Sequence, residues 1–362
     1  QMLPLCHLMP CVAAIGALVE QFGATAVLCT ATQPVLGDLI QRFAPSHAVS
    51  EICPEIPFYF DKFRRVTFRQ VGVLEDDALA ELLCAHEQVL CIVNSRKAAQ
   101  SIFSKLPEEG SFHLSTLMVP AHRRTVLEEI RRRLNDGLPC RVVSTSLVEA
   151  GVDIDFPAVY RELAGLDSIL QAAGRCNREG KRAAEDSIVT IFRRTEKAPP
   201  LFGQAIGATN IALDNNADPA SPQTMENYFR ELRKLNGSAI DKIGVIDAFE
   251  RGRGGSLYPF RTIAENFHMI DNDTRTVYIP WREGAELIDR LCAGACSKSL
   301  YRQLGQFSVQ VYDTHFQALY DTGALQTADE TNALDDRGAI LCDLSLYDEK
   351  TGLSLKADSG QA

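Results

Sequence analysis

Long apolar runs are missing from this sequence, the longest being of strand length. A bilayer core asks for about 20 consecutive apolar residues, so no segment is expected to span a membrane. Nor does the chain open with a positively charged leader and a small-residue cleavage site, and the expected location is the cytoplasm. Close cysteine pairs are scarce as well. The eleven cysteines fall singly in apolar stretches, as at Cys29, Cys84, Cys91 and Cys140, where a free thiol behaves as a small hydrophobe. Cys292-A-G-A-Cys296 is the one close pair, with no second pair or histidine to complete a tetrahedral site, so no metal is expected. Excess positive charge is lacking too. A net charge of -10 excludes a generally basic coat for nucleic acid but leaves room for a local groove.

Two phosphate and metal motifs are absent. No G-x-x-x-x-G-K-S/T occurs: Gly180-Lys181 has Arg175 where the first glycine belongs and Arg182 where the hydroxyl belongs. None of the seven histidines is followed by aspartate, so the chain holds no adjacent His-Asp pair. What remains is an ordinary globular composition, 46% hydrophobic and 23% charged over 362 residues, enough for about two domains at roughly 150 residues each. The positive residues are clustered at Arg64-Arg65, Arg123-Arg124, Arg131 to Arg133, Arg193-Arg194, and Arg251 with Arg253. The Arg131 run closes a predicted helix, where positive charge suits the backbone dipole, and is read as a solvated face.

Taken in order, Leu8, Val12, Ile15, Leu18, Val19 and Phe22 predict a helix, and Ala24 to Cys29 a buried strand ending in Thr30-Ala31-Thr32. From 66 to 192, strands are expected near 66–71, 88–93, 111–115, 140–145, 158–162 and 187–192. Helices are expected over 76–86, 95–106, 119–135 and 167–178. That alternation implies right-handed βαβ units and a parallel sheet covered on both faces. Ligands of such sheets sit beyond the carboxyl ends of the strands. After Pro199-Pro200 the rhythm changes: Ser221-Pro222 opens a helix that Asn236-Gly237 closes, and a second helix covers Ile240 to Phe249 before the break at Arg251-G-R-G-G. Strands are expected at Arg275 to Pro280, Phe307 to Tyr312 and Ile340 to Tyr347, with Asp348-E-K-T-G as a turn.

The most informative stretch runs from Cys140 to Gly180. On a helix over 167–178, spacings of three and four would put Gln171, Arg175 and Arg178 on one face, a set suited to the γ-phosphate of a nucleotide. Three strings in this order, C-T-A-T-Q-P, V-V-S-T-S-L-V-E-A-G-V-D-I-D-F and L-Q-A-A-G-R-C-N-R-E-G, resemble motifs III, V and VI of superfamily-two helicases. I-V-N-S-R (Ile92 to Arg96), H-L-S-T-L-M-V-P-A-H-R (His113 to Arg123) and Y-P-F-R-T-I-A-E-N-F (Tyr258 to Phe267) extend the likeness to most of the chain. The wording is similar to that of the CRISPR-associated helicase-nuclease of type I systems.

The resemblance implies an α/β fold with four parts. These are the tail of a first RecA-like lobe (1–55), a second RecA-like parallel-sheet lobe (56–199), a helical linker (200–260) and a small α+β C-terminal domain (261–362). In that family Q-M-L-P follows the metal-holding D-E-x of motif II, so Gln1 looks like the last letter of a box whose acidic pair is not in this chain. Neither Asp329-Glu330 nor Asp348-Glu349 supplies it, since Thr-Asn and Lys-Thr follow. The implied partners are ATP and Mg2+, held mostly by the missing N-terminal nuclease and first helicase lobe, single-stranded DNA, and the guide-RNA surveillance complex. By the same resemblance Arg178 is the arginine finger, with Arg175 and Gln171 at the phosphates and interlobe contacts. Gly151 and Asp153 belong to the ATP site, Thr30 and Thr32 couple the lobes, and Ser95, Arg96, Ser115, Thr145 and Ser146 hold DNA. Without the phosphate loop and the motif II acids the chain by itself is expected to be inactive as ATPase or nuclease. A general superfamily-two DNA or RNA helicase fragment, and a non-enzymatic module binding DNA or the surveillance complex, stay open as alternatives. His113 and His122 are expected to be packed or hydrogen-bonded rather than catalytic, and Tyr258 and Phe260 to pack in a core or between domains.

Overall fold

The computed structural model describes residues 4–30, 32, 35–214, 217–254, 257–269, 274–295, 297–326 and 338–355. Gln1, Ala31, Gln33, Pro34, Gly255, Cys296, Asp329-Glu330 and the last residues lie outside the described set, as do the readings made on them. Three helices come first, α1 (Leu8–Phe22), α2 (Gly37–Phe43) and α3 (Ile56–Lys62). Then follow β1 (Thr67–Leu74), α4 (Asp76–Cys84), β2 (Gln88–Ile92), α5 (Arg96–Phe103), β3 (Ser111–Leu114), α6 (Pro120–Asn135), β4 (Cys140–Ser144), β5 (Ala158–Glu162), α7 (Leu166–Ala173) and β6 (Ile188–Arg194). Next are the helices α8 (Gly203–Ala212), α9 (Pro222–Asn236), α10 (Val245–Gly254) and α11 (Phe260–Asn266). The chain continues with β7 (Thr274–Tyr278), α12 (Gly284–Cys292), α13 (Lys298–Leu304), β8 (Ser308–Tyr312), α14 (Asp313–Asp321), β9 (Leu325–Gln326), β10 (Gly338–Leu341), β11 (Tyr347–Asp348) and β12 (Gly352–Leu353).

The chain divides into two compact units, each assembled from three stretches. One comprises Gln1–Phe68, Leu163–Ala173 and Ala198–Asp271 and is helical. In it Leu8, Val12 and Ile240 form a small core against Leu36, Leu39, Ile40 and Phe43. The Ser221 hydroxyl accepts from the Thr224 amide at 3.1 Å and starts α9 where the Ser-Pro pair predicts. The helix expected over Ile240 to Phe249 begins later instead. Gly237–Asp241 forms a 3-10 turn, and the Asp241 carboxylate accepts from the amides of Val245 and Ile246 at 2.8 and 3.0 Å, setting the start of α10.

Three expectations for this unit need correction. Ala24 to Cys29 is not a strand: it has no ladder and is exposed, Val27 by 66%. A buried parallel strand needs hydrogen-bonding neighbours on both sides, and none pairs with this segment among the described residues. Leu5–Phe22 does reach membrane-spanning length and composition, at a mean hydropathy of 1.5 over 18 residues, although core helices of soluble proteins do the same. Tyr258 and Phe260 are 50% and 66% exposed rather than packed in a core, touching Phe249 and each other at ring separations of 5.2–6.0 Å.

The other unit comprises Arg69–Glu162, Gly174–Lys197 and Asn272–Ala362. Its six-stranded sheet has the order β1-β6-β5-β2-β4-β3, and β6, β5, β2, β4 and β3 run parallel. The central strands are mostly apolar and buried, as strands inside a parallel sheet are: Val89, Cys91, Val143 and Tyr160 meet Leu79, Leu83, Ala98 and Ile102 of α4 and α5. Arg194 at the end of β6 grips Asp76 at the start of α4 through two bonds of 2.9 and 3.0 Å.

The terminal strands build a second sheet, of order β8-β7-β10-β9. Ile340 to Tyr347 is therefore not one strand: β10 ends at Leu341, a 3-10 turn covers Leu344–Leu346, and β11 pairs antiparallel with β12. This sheet packs on the segment between β3 and α6, where Leu117 and Val119 meet Val277, Trp281, Val309, Val311 and Leu353. Gly352 makes that contact possible. Its φ is +80°, and a Cβ there would stand 2.4 Å from the Leu117 carbonyl oxygen.

Candidate functional site

Two groups of residues meet at the carboxyl end of the large parallel sheet. The first stands directly beyond the central strands. Ile92, Ser144 and Leu114 are cross-strand partners at one height, so Ser95 and Arg96 after β2, Ser115 after β3, and Thr145 and Ser146 after β4 fall along one edge. Each is fixed differently. The Ser95 hydroxyl caps α5, accepting from the Ala98 amide at 3.1 Å. Ser115 is fully buried and accepts from the Leu117 amide at 3.2 Å. Thr145 donates its amide to Leu114 at 3.2 Å, and Ser146 is exposed. Burial holds the Arg96 guanidinium somewhat below its ordinary pKa, and that group lies over the Tyr312 ring, 5.2 Å from its centroid.

The second group forms where the turn after α7 docks on the loop after β4. The helix expected to run to 178 stops at Ala173, so Gln171, Arg175 and Arg178 do not share a helical face. Gly174 is followed by Arg175 and Asn177, whose carbonyl and amide pair with the amide and carbonyl of Phe156 at 2.9 and 3.0 Å. Asn177 then turns the chain with φ +48°, its side-chain amide bonding the Arg182 amide and carbonyl at 3.0 and 2.8 Å. Asparagine tolerates that left-handed geometry better than most residues.

This turn gives the two arginines different surroundings. Arg175 is buried: its Nε and Nη2 donate to the carbonyls of Val148 and Glu149 at 2.8 and 2.6 Å. Burial, with Arg178 close by, pulls its pKa down from the ordinary value. Arg178 is half exposed. Its amide donates to Asp155 Oδ1 and its Nε to Asp153 Oδ1, both at 2.7 Å. Gly151, two residues before Asp153 in the loop after β4, is exposed, with φ +72° and open space where a Cβ would project. Gly151, Asp153 and Arg178 therefore form one exposed patch, and Arg175 secures it from beneath. Gln171 lies half-buried on α7 in the helical unit. Thr30 and Thr32 lie in that unit too, the Thr30 hydroxyl donating to the Thr32 carbonyl at 3.1 Å.

A buried network joins the two groups and was not singled out in the sequence. Arg161, at 1% exposure, donates from Nη1 to Asn94 Oδ1 and to the Glu162 carbonyl, each at 2.8 Å. Its Nε stands 2.9 Å from Glu149 Oε1. Glu162 accepts from the Asn94 amide at 2.7 Å, and burial raises its pKa. The signal was there: Arg161-Glu162 ends an otherwise apolar strand, and charges in such a place need partners. Of the two histidines, His113 is buried with neither ring nitrogen hydrogen-bonded, and burial pushes it down to about 4. His122 stacks on Trp281 at 4.8 Å and meets the Tyr347 hydroxyl at 3.1 Å.

Comparison with known proteins gives this geometry a context. Residues 85–181 match the family model described as "CRISPR-associated nuclease/helicase Cas3, C-terminal". A Haloferax volcanii protein of the name "CRISPR-associated nuclease/helicase Cas3" is 37% identical over 83 residues, 22% of this chain and 9% of that protein. One of the same name from Methanothermobacter thermautotrophicus is 23% identical over 195 residues, 52% of this chain and 22% of the other. In fold, the chain is similar to T. fusca Cas3 with AMPPNP (TM-score 0.58, 14% identity, covering 97% of this chain and 52% of that one). It is likewise similar to a chain of a CRISPR RNA-guided surveillance complex in a pre-nicking state (TM-score 0.55, 15% identity, 96% and 55%). The chain thus spans about half of those structures and less of the curated relatives. These findings show a likeness to the C-terminal part of Cas3 proteins over residues 85–181 and, across most of the chain, an α/β fold shared with the solved structures.

Proposed function

We propose that this chain is the second motor lobe and terminal domain of an ATP-dependent, single-stranded-DNA translocase of CRISPR interference, working in the cytoplasm. The observation that carries the reading is the docking of the turn after α7 on the loop after β4, which presents Gly151, Asp153 and Arg178 together. The donor set suits one side of a nucleotide: a guanidinium for phosphate oxygens, a carboxylate for ribose hydroxyls, and a glycine that lets backbone approach. Asp153, 83% exposed and paired with Arg178, would hold the guanidinium in readiness and exchange it for phosphate when the cleft closes. ATP, when bound, supplies the free energy of phosphoryl transfer. Arg178 would stabilise charge on the transferring group, while Arg175, tied to the Val148 and Glu149 carbonyls, fixes the turn that carries it. We assign Gln171 to the phosphate and interlobe region, and Thr30 with Thr32 to coupling between lobes.

Magnesium, when bound, would be shared with the phosphates of the nucleotide. The metal and the phosphate loop are assigned to the first lobe, and hydrolysis to the two lobes together. Ser95, Arg96, Ser115, Thr145 and Ser146 would track the DNA backbone through hydroxyl, amide and guanidinium donors, which hold a strand without reading its sequence. The buried Ser115 contributes by shaping the loop, and its neighbours by contact. The surveillance complex is the proposed source of the opened strand. Titration of the chain with oligo-dT at two salt concentrations tests the DNA reading. Affinity should fall steeply with salt, with a log–log slope of roughly -0.7 per phosphate contacted. Absent or salt-independent binding would refute it.

A further inference from the structure

The outer face of β7 and β8 carries a second nucleic-acid feature. Along β8 the burial alternates, with Val309 and Val311 turned into the core and Gln310 and Tyr312 turned out. The outward residues pair across the strands as Thr276 with Gln310 and Thr274 with Tyr312. Gln310 Nε2 donates to the Thr276 hydroxyl at 2.9 Å. At the Tyr278 end this face is covered by Ile288, Leu291, Leu300 and Leu304 of α12 and α13. At the other end Tyr312 remains 50% exposed, so its ring adds little to the core. Its company is Arg96, whose guanidinium lies over it at 5.2 Å, and His315, at a ring separation of 6.3 Å. Arg96 begins α5 directly beyond the carboxyl end of β2. The result is an exposed aromatic ring, beside neutral hydrogen-bonding side chains, held against an arginine at the ligand edge of the parallel sheet.

We infer that Tyr312 is a stacking platform for an unpaired nucleobase, with Arg96 beside it engaging the adjoining phosphate and Gln310 and Thr274 able to bond base edges. This rests on the proposed single-stranded-DNA reading and extends it to a residue of the terminal sheet. Every base offers a π-face to an aromatic ring, so such a platform grips without sequence preference. An arginine stacked on the ring orders it beforehand.

The test is photocrosslinking of the whole chain to oligo-dT bearing 5-iododeoxyuridine, with peptide mapping, alongside binding titrations of Tyr312→Ala and Tyr312→Phe. The expected result is an adduct at Tyr312. Tyr312→Ala should bind about tenfold more weakly with an unchanged salt slope, because stacking releases no counterions. Tyr312→Phe, which keeps the ring and loses the hydroxyl, should stay within about twofold. Circular dichroism identifies any variant that fails to fold, and the adduct on the unmodified chain decides the matter in that case. Normal binding with no adduct at Tyr312 and no loss in Tyr312→Ala overturns this inference alone. A changed salt slope in Tyr312→Ala overturns it too, since the residue would then act through Arg96. Failure of the unmodified chain to bind oligo-dT overturns the DNA reading itself, and preference for an RNA oligomer of equal length overturns the assignment to DNA.

Discussion

Replacing Arg161 by methionine should destabilise the sheet unit more than any surface change. Arg161 is 1% exposed and Glu149 is 7% exposed, with 2.9 Å between them. The substitution keeps most of the side-chain volume but leaves the Glu149 carboxylate, the Asn94 amide oxygen and the Glu162 carbonyl without their donor. Removing one partner of a buried ion pair typically costs about 3–5 kcal/mol, a large share of a domain's marginal stability. The single tryptophan, Trp281, is buried in the core of the same unit and reports its unfolding in urea by fluorescence. Arg161→Met should lower the unfolding free energy by that amount and move the midpoint to lower urea. Arg161→Met with Glu149→Leu should recover most of the loss, since an apolar pair replaces a buried charge pair at little cost. A single-variant loss below about 1 kcal/mol, or no recovery in the double variant, would refute the reasoning.

Arg178→Ala should change stability by less than about 1 kcal/mol in the same urea assay, because its ion pair is open to solvent, with Arg178 half exposed and Asp153 mostly so. His113 makes the unit acid-sensitive. Its folded pKa of about 4 lies below the unfolded value of about 6.5, so the unfolded chain binds more protons. That contribution is complete above pH 6.5 and is lost as pH falls toward 4, by up to ~3 kcal/mol. Urea midpoints across that range should show the trend, and His113→Leu should flatten it. Gly352→Ala places a Cβ against the Leu117 carbonyl at φ +80° and should cost at least ~2 kcal/mol, read as an earlier Trp281 transition.

The large sheet was legible because buried parallel strands are short apolar runs between helical patterns, and the bounds of β2, β4 and β5 fall within a residue or so of expectation. The Ser221 cap was legible for a local reason as well. Errors arose where the outcome depends on distant partners. Ala24 to Cys29 has the composition of a strand but no ladder among the described residues. The helix through Gln171 looked longer because spacing cannot register that Arg175 and Asn177 pair their backbone with Phe156. In the candidate site, the residue types around Gly151 and Arg178 were visible as a string, whereas the Arg161, Glu149 and Asn94 network joins residues up to 67 apart and leaves no periodic trace. The packing of Leu117 on Leu353 spans an even longer separation.

The central claim is that Arg178 completes an ATP site whose phosphate loop lies on another lobe. DNA-stimulated ATP hydrolysis, measured on this chain, on a separately produced first lobe and on their mixture, addresses it most directly. The account predicts no turnover from either part and turnover from the mixture, falling about a thousandfold or more with Arg178→Ala. Hydrolysis by this chain alone, or a mixture indifferent to Arg178→Ala, would contradict it.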